Sequence, residues 1–167
     1  MKTLKYLALA ACLFLGSCQT NEKSDKLYEE GISWELAQLR KQEIKNLKYG
    51  LSFSIPEQKQ EAVEGEARIQ FTLGHPQEII LDFRESADKI KEVSVNGKPC
   101  AYHFQNEHLI VPEKATAKGA NEVHIRFTAG NQSLNRNDEF LYTLLVPDRA
   151  RTVFPCFEQP NLKAEFT

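Results

Sequence analysis

No stretch of this chain stays apolar for the roughly 20 residues that a membrane-spanning helix needs. Its four histidines, His75, His103, His108 and His124, never stand at the i and i+4 spacing of a His-Glu-x-x-His zinc pair. It has no Gly-x-Ser-x-Gly elbow to present a serine nucleophile, and Ser133 sits in a polar loop without a histidine partner motif. A glycine-rich phosphate loop is missing too. So is any basic patch interleaved with aromatics, which argues against nucleic acid as a partner. There is no internal repeat, and no helical segments separate the strand-like stretches, which disfavours a parallel α/β layout.

The two ends differ from the middle. Lys2 and Lys5 open the chain, Leu7 to Leu15 form an apolar run, and Leu15-Gly16-Ser17-Cys18 follows. That order of basic start, short apolar core and small residues before a cysteine predicts a lipoprotein signal over residues 1–17, with Cys18 acylated as the new N-terminus. An ordinary secretory leader with an incidental cysteine is the alternative. Two lipid attachments on Cys18 would hold the protein stably on a membrane, where one chain is marginal. The expected location is the cell envelope, lipid-anchored at the outer membrane and facing either the periplasm or the surface.

Residues 18–30 are almost free of apolar side chains and read as a flexible tether. Residues 31–167 are long enough for one domain with its own core. Losing Lys2 and Lys5 with the leader leaves 19 basic against 23 acidic residues, a net charge of −4. Of the cysteines, Cys100 and Cys156 remain in the domain. An oxidising envelope permits a disulfide between them, but the apolar Phe-Pro-Cys-Phe setting of Cys156 favours buried free thiols.

Ser33 is positioned as a helix N-cap, and Ile32, Leu36 and Leu39 recur at helical spacing, predicting a helix from Trp34 to about Ile44. The period then drops to two. Leu47, Tyr49, Leu51, Phe53 and Ile55 alternate with polar residues or glycine, as do Ala67, Ile69, Phe71 and Leu73. Ile79 to Phe83 is a short apolar strand. Val93 and Val95 lead into Asn96-Gly97, a hairpin signal whose expected return arm is Ala101 to Phe104. Leu109 to Val111, then Val123, Ile125 and Phe127, and finally Phe140 to Val146 complete seven or eight strands. The fold class is mainly β: an antiparallel, saddle-like β-sandwich with one short N-terminal helix.

Candidate chemistry within this domain is sparse. His103 and His108 could face one another across a hairpin with His124 nearby, although histidines on alternating strands are ordinarily solvated. Asp138-Glu139 and Glu29-Glu30 are adjacent pairs, which point to opposite faces of a strand and serve solvation. The polar loop Ala129 to Asp138 either meets a partner domain or is simply hydrated. Tyr102, Phe104 and Tyr142 could form a stacking platform for a glycan, or pack into the core. No catalytic, cofactor-binding or metal-ligating residue stands out.

One segment is more specific. Phe140 to Thr167 runs through Pro147-Asp148-Arg149-Ala150-Arg151 into Pro155-Cys156-Phe157-Glu158-Gln159-Pro160. This resembles the N-terminal domain of aminopeptidase N-like zinc metallopeptidases, in which an Ala-Arg pair precedes P-C-F-(D/E)-x-P. Tyr49-x-Leu51-x-Phe53, Gly65-x-Ala67-x-Ile69-x-Phe71, Leu81-Asp82 and Val93-x-Val95-Asn96-Gly97 follow the same family order, so the resemblance covers about Leu47 to Thr167.

The resemblance implies a non-catalytic β domain that forms one wall of a peptide-binding cleft. Its partners would be a catalytic domain of the same polypeptide and, in the intact protein, a peptide substrate. Zinc is expected only in that catalytic domain. Family members carry Gln-x-Glu just before the proline turn, where the glutamate helps hold the substrate's α-amine. The matching positions here are Leu144 and Val146, implying a more apolar pocket wall. A different specificity, amine recognition from the catalytic domain, or a shifted register would each account for the departure. Lys163 to Thr167 opens a further alternating run, with Ala164 and Phe166 on one face, which reads as a strand cut short in a fragment of a longer product. The contrasting expectation is a stand-alone surface lipoprotein with a ligand- or glycan-binding sandwich.

Overall fold

The computed structural model describes residues 25–167. The stretch expected to be a lipoprotein signal, residues 1–17, and Cys18 lie outside the described residues. The helix α1 spans Trp34–Glu43. Ser33 starts it as expected, its Oγ accepting from the Leu36 N–H at 3.1 Å. The Ile44 N–H closes the last turn on the Arg40 carbonyl. Before it, residues 26–30, the end of the stretch read as tether, lie against the domain. Tyr28 donates its hydroxyl to Glu78, and Asn106 donates to the Tyr28 carbonyl.

Eleven strands follow among the described residues: β1 Lys45–Ser54, β2 Glu64–Leu73, β3 Ile79–Asp82, β4 Ile90–Val95, β5 Lys98–Pro99, β6 His103–Gln105, β7 His108–Val111, β8 Gly119–Thr128, β9 Leu134–Arg136, β10 Leu141–Thr143 and β11 Glu165–Phe166. They form a six-stranded sheet in the order β11-β1-β2-β8-β4-β5, a three-stranded sheet β3-β7-β6, and the β9–β10 pair. Pairing is antiparallel throughout except where β11 lies parallel to β1. The domain is mainly β, with sandwich-like layering.

Alternation explains the large sheet. On β2, Ala67, Ile69, Phe71 and Leu73 are buried while Arg68 and Gln70 are exposed. Ala67 sits opposite Ile125 and Ile69 opposite Val123 on β8, so the two apolar faces coincide. Gly65 is required here: a Cβ would come within 2.5 Å of the Phe127 ring.

Strands β3 and β7 are buried at every position, because each is covered on both faces. Ile79, Leu81, Leu109 and Val111 join the main core, whereas Ile80 and Ile110 pack on Leu36 of α1. The three-stranded sheet is thus sandwiched between helix and large sheet, which is why these strands read as continuous apolar runs.

Two expectations change in detail. Asn96 and Gly97 adopt positive φ of 52° and 77° as a hairpin turn demands, but the return arm is Lys98–Pro99 rather than Ala101–Phe104. The Cys100 N–H still donates to the Val93 carbonyl at 2.9 Å, and the chain then crosses to the other sheet, where His103–Gln105 pairs with β7. Likewise only Leu141–Thr143 of the expected last strand is paired, and its partner Leu134–Arg136 comes from the polar loop.

Candidate functional site

The Pro155–Pro160 motif is held residue by residue. Cys156 makes a two-bond bridge with Asp82 through the main chain, at 2.7 and 3.0 Å. The Phe157 N–H donates to the Tyr49 hydroxyl at 2.9 Å, and its ring meets Phe71 edge-on. The Glu158 N–H donates to Asp82 Oδ2 at 2.9 Å, while its carboxylate accepts from the Arg151 N–H at 2.7 Å. Gln159 reaches across to the Ala37 carbonyl of α1. Together these bonds tie the turn to β1, β3 and α1.

Asp82 is the hub. Arg40 grips both its oxygens, at 2.8 and 2.7 Å, and also donates to the Ile80 carbonyl. The Arg40 guanidinium lies 5.3 Å from the Phe157 ring centre, within cation–π range. Nδ1 of His108 stands 3.0 Å from Asp82 Oδ1, and Nε2 stands 2.8 Å from the Glu29 carbonyl. The Nδ1 contact is at ion-pair distance but outside hydrogen-bond direction, so its effect is electrostatic.

Burial by itself would raise the Asp82 pKa. The Arg40 charge and its two bonds, the His108 ring beside the carboxylate and the Glu158 amide outweigh it and hold the carboxyl below its ordinary value. Glu158 moves the other way, raised by burial and by the Asp82 charge despite its bond from Arg151. Burial, with Glu158 and Asp82 adding to it, also pushes the Cys156 thiol well up. A thiol in that setting is a structural group, not a nucleophile. Cys156 and Cys100 are both free.

A second feature lies on the other side of the turn. Phe140, Tyr142, Leu144 and Val146 are 54%, 52%, 52% and 74% exposed, at alternating positions along one segment. Leu141 and Leu145 face the opposite way into a cavity of about 220 Å³ lined with Leu51, Phe53, Val63 and Phe154. The segment is apolar on both sides, which a solvated hairpin would not be. The Phe140 and Tyr142 rings pair at 5.9 Å.

The remaining candidates are dispersed. His103 is exposed on β6, His124 is half-buried on β8 near Glu66, and His108 is wholly buried rather than solvated. The described residues hold no group of three or more His, Cys, Asp or Glu that could bind a metal ion, so they do not fit zinc. Ser133 is buried and accepts from Thr152 Oγ1. Tyr102 and Phe104 pack against the core, leaving Tyr142 apart from them on the exposed row. Sequence reading missed Arg40, Asp82 and His108 as a unit. The available signals were a lone arginine one turn after Leu36 and a lone carboxylate inside the Ile79–Phe83 run.

No family model matches the chain. In an 87-position alignment that covers 47% of the chain, it is 36% identical to a probable aminopeptidase 1 of Sulfurisphaera tokodaii. Leukotriene A4 hydrolase of Saccharomyces cerevisiae aligns with 75% of the chain at 19% identity and TM-score 0.61. An M1 zinc metallopeptidase of Deinococcus radiodurans aligns with 74% at 16% identity and TM-score 0.58. The fold is that of the N-terminal β domain of M1-type zinc metallopeptidases. The chain spans 11% of the Sulfurisphaera protein, and 23% and 31% of the yeast and Deinococcus chains.

Proposed function

We propose that this chain serves as the non-catalytic N-terminal domain of a membrane-anchored, aminopeptidase N-like zinc metallopeptidase. The catalytic domain of the same polypeptide supplies zinc and base, and this domain forms one wall of the peptide cleft. The observation that carries the reading is the exposed apolar row Phe140, Tyr142, Leu144 and Val146, which residues 147–154 link to the Pro155–Pro160 turn fastened to α1, β1 and β3. Leu144 and Val146 then present an apolar surface where relatives place polar groups for the substrate amine. Acylation of Cys18 would hold the assembly at the cell envelope.

The test is direct. The isolated chain should bind no stoichiometric zinc and cleave no aminoacyl-arylamide. The reading frame beyond codon 167 should encode Gly-x-Met-Glu-Asn and His-Glu-x-x-His, and its full product should hydrolyse such substrates with zinc. Hydrolysis that co-purifies with the isolated chain would overturn the reading. So would a stop codon followed by an unrelated gene, the outcome expected for a stand-alone binding lipoprotein.

A further inference from the structure

A groove opens where the chain leaves the β4–β5 hairpin for β6. One wall is the returning arm, Lys98–Pro99 and Cys100; the other is the short turn Glu113–Ala115 with the residues that follow it. Between them lies a cavity of about 590 Å³, bounded by Val95, Lys98, Pro99, Cys100, Lys114 and Ala117. That volume falls inside the roughly 300–1,000 Å³ typical of small-molecule sites. Both walls are fixed by the fold itself. The hairpin arm is paired with β4, and on the far side Asn121 clasps Ala117, its Oδ1 accepting from the Ala117 N–H at 2.8 Å and its Nδ2 donating to the Ala117 carbonyl at 2.7 Å.

The charge in this groove is of one sign. Among the described residues no carboxylate lines it, and neither Lys98 nor Lys114 forms an ion pair or a side-chain hydrogen bond. Cations on the large sheet are matched instead: Arg68 to Glu122, Arg126 to Glu66 and Glu92, Lys48 to Glu165. The other polar side chains of the groove are already committed. Asn96 accepts from the Glu122 N–H and donates to Asn121, and the Cys100 thiol donates to the Ala101 carbonyl at 3.3 Å. Burial lifts the Cys100 thiol above its ordinary value while the Lys114 charge works against it, so the ammonium's field reaches into the groove. Val95, Pro99, Ala115 and Ala117 make the rest of the lining apolar.

We propose that this groove binds a small organic dianion, its apolar body against Val95, Pro99, Ala115 and Ala117 and its charges met by Lys98 and Lys114. Two unmatched ammoniums set the charge of the ligand. The apolar walls set its body, because a bare inorganic anion leaves them uncovered. The whole site is built from residues 95–121 and stands apart from the exposed row Phe140 to Val146, so it goes beyond the role proposed for the domain.

Two probes carry this chemistry: a naphthalene dicarboxylate, with its charges apart, and naphthyl phosphate, with both on one head. Binding is followed by NMR shifts of the chain's amides, and by alkylation of Cys100 with neutral iodoacetamide, read peptide by peptide in a mass spectrometer. At least one probe should move the Cys100, Ala101, Ala115 and Ala117 amides at millimolar concentration. Its saturation should slow Cys100 alkylation by about fivefold or more, by closing access to the thiol. Lys98→Gln with Lys114→Gln, both at exposed positions, should weaken binding by about tenfold and leave thermal unfolding unchanged. Added salt should weaken it as well, since exposed charges are screened. Unmoved amides with both probes at millimolar concentration would overturn the proposal. Equal binding of the dicarboxylate's neutral dimethyl ester, or undiminished binding to the double variant, would do so too, by showing apolar adhesion without charge recognition.

Discussion

Arg40 on α1 and Asp82 on β3 form a two-pronged ion pair, at 2.8 and 2.7 Å, with side chains only 3% and 0% exposed. The pair joins the helix to the strand that carries the Pro155–Pro160 turn, through the Asp82–Cys156 bridge and the Glu158 amide. Arg40→Met should cost about 3–5 kcal/mol in urea unfolding, because it strands a buried carboxylate. Combining it with Asp82→Leu should cost less than the sum of the two single changes. Simple additivity would show that the two groups act independently.

The same hub fixes the response to acid. Asp82 is lowered when folded, so its contribution is present above the ordinary carboxylate range, about 4, and is lost as pH falls through the folded value. Glu158 is raised, so its contribution has the opposite sign, appearing as pH falls through its folded value. Stability from this pair should peak in mild acid, between the two values. Urea midpoints measured from pH 7 to 3 should show that peak. Asp82→Asn should flatten the acid limb, and Glu158→Gln should remove the rise below neutrality.

Tyr49→Phe should destabilise by about 1–3 kcal/mol without altering the urea slope, since it leaves the buried Phe157 N–H with no acceptor. A loss within error of zero would mean that another acceptor takes over the amide.

Gly65→Ala should cost about 1–3 kcal/mol through overpacking against Phe127, its cross-strand partner. Restoring room with Phe127→Leu in the same chain should recover part of that loss. If the double variant is no better than the two losses combined, the contact is not the cause.

Leu144→Gln with Val146→Glu introduces, at two exposed positions, the Gln-x-Glu pattern that the resemblance to aminopeptidase N-like enzymes implies there. The isolated chain should stay within about 0.5 kcal/mol of its parent in thermal unfolding. In the full-length metallopeptidase proposed above, KM for an aminoacyl-arylamide with a free amine should fall by about fivefold, the worth of a charge pair near 1 kcal/mol. The N-acetylated analogue should show no such change. Equal effects on both substrates would remove these positions from amine recognition.

Local pattern alone determined the helix with its Ser33 cap, the alternating strands β1, β2 and β8, and the Asn96-Gly97 turn. These depend on side-chain period, caps and backbone preference, which a few neighbouring residues encode. The order of those strands together with Pro155–Pro160 was also enough to place the fold beside zinc metallopeptidases. Only tertiary structure decided that Lys98–Pro99 is the return arm, that Leu134–Arg136 pairs with Leu141–Thr143, and that Arg40, Asp82 and His108 meet. Those outcomes join residues far apart along the chain. A charge inside an apolar run is costly alone and tolerable beside its counter-ion, and the counter-ion's position is written in the packing of helix on sheet.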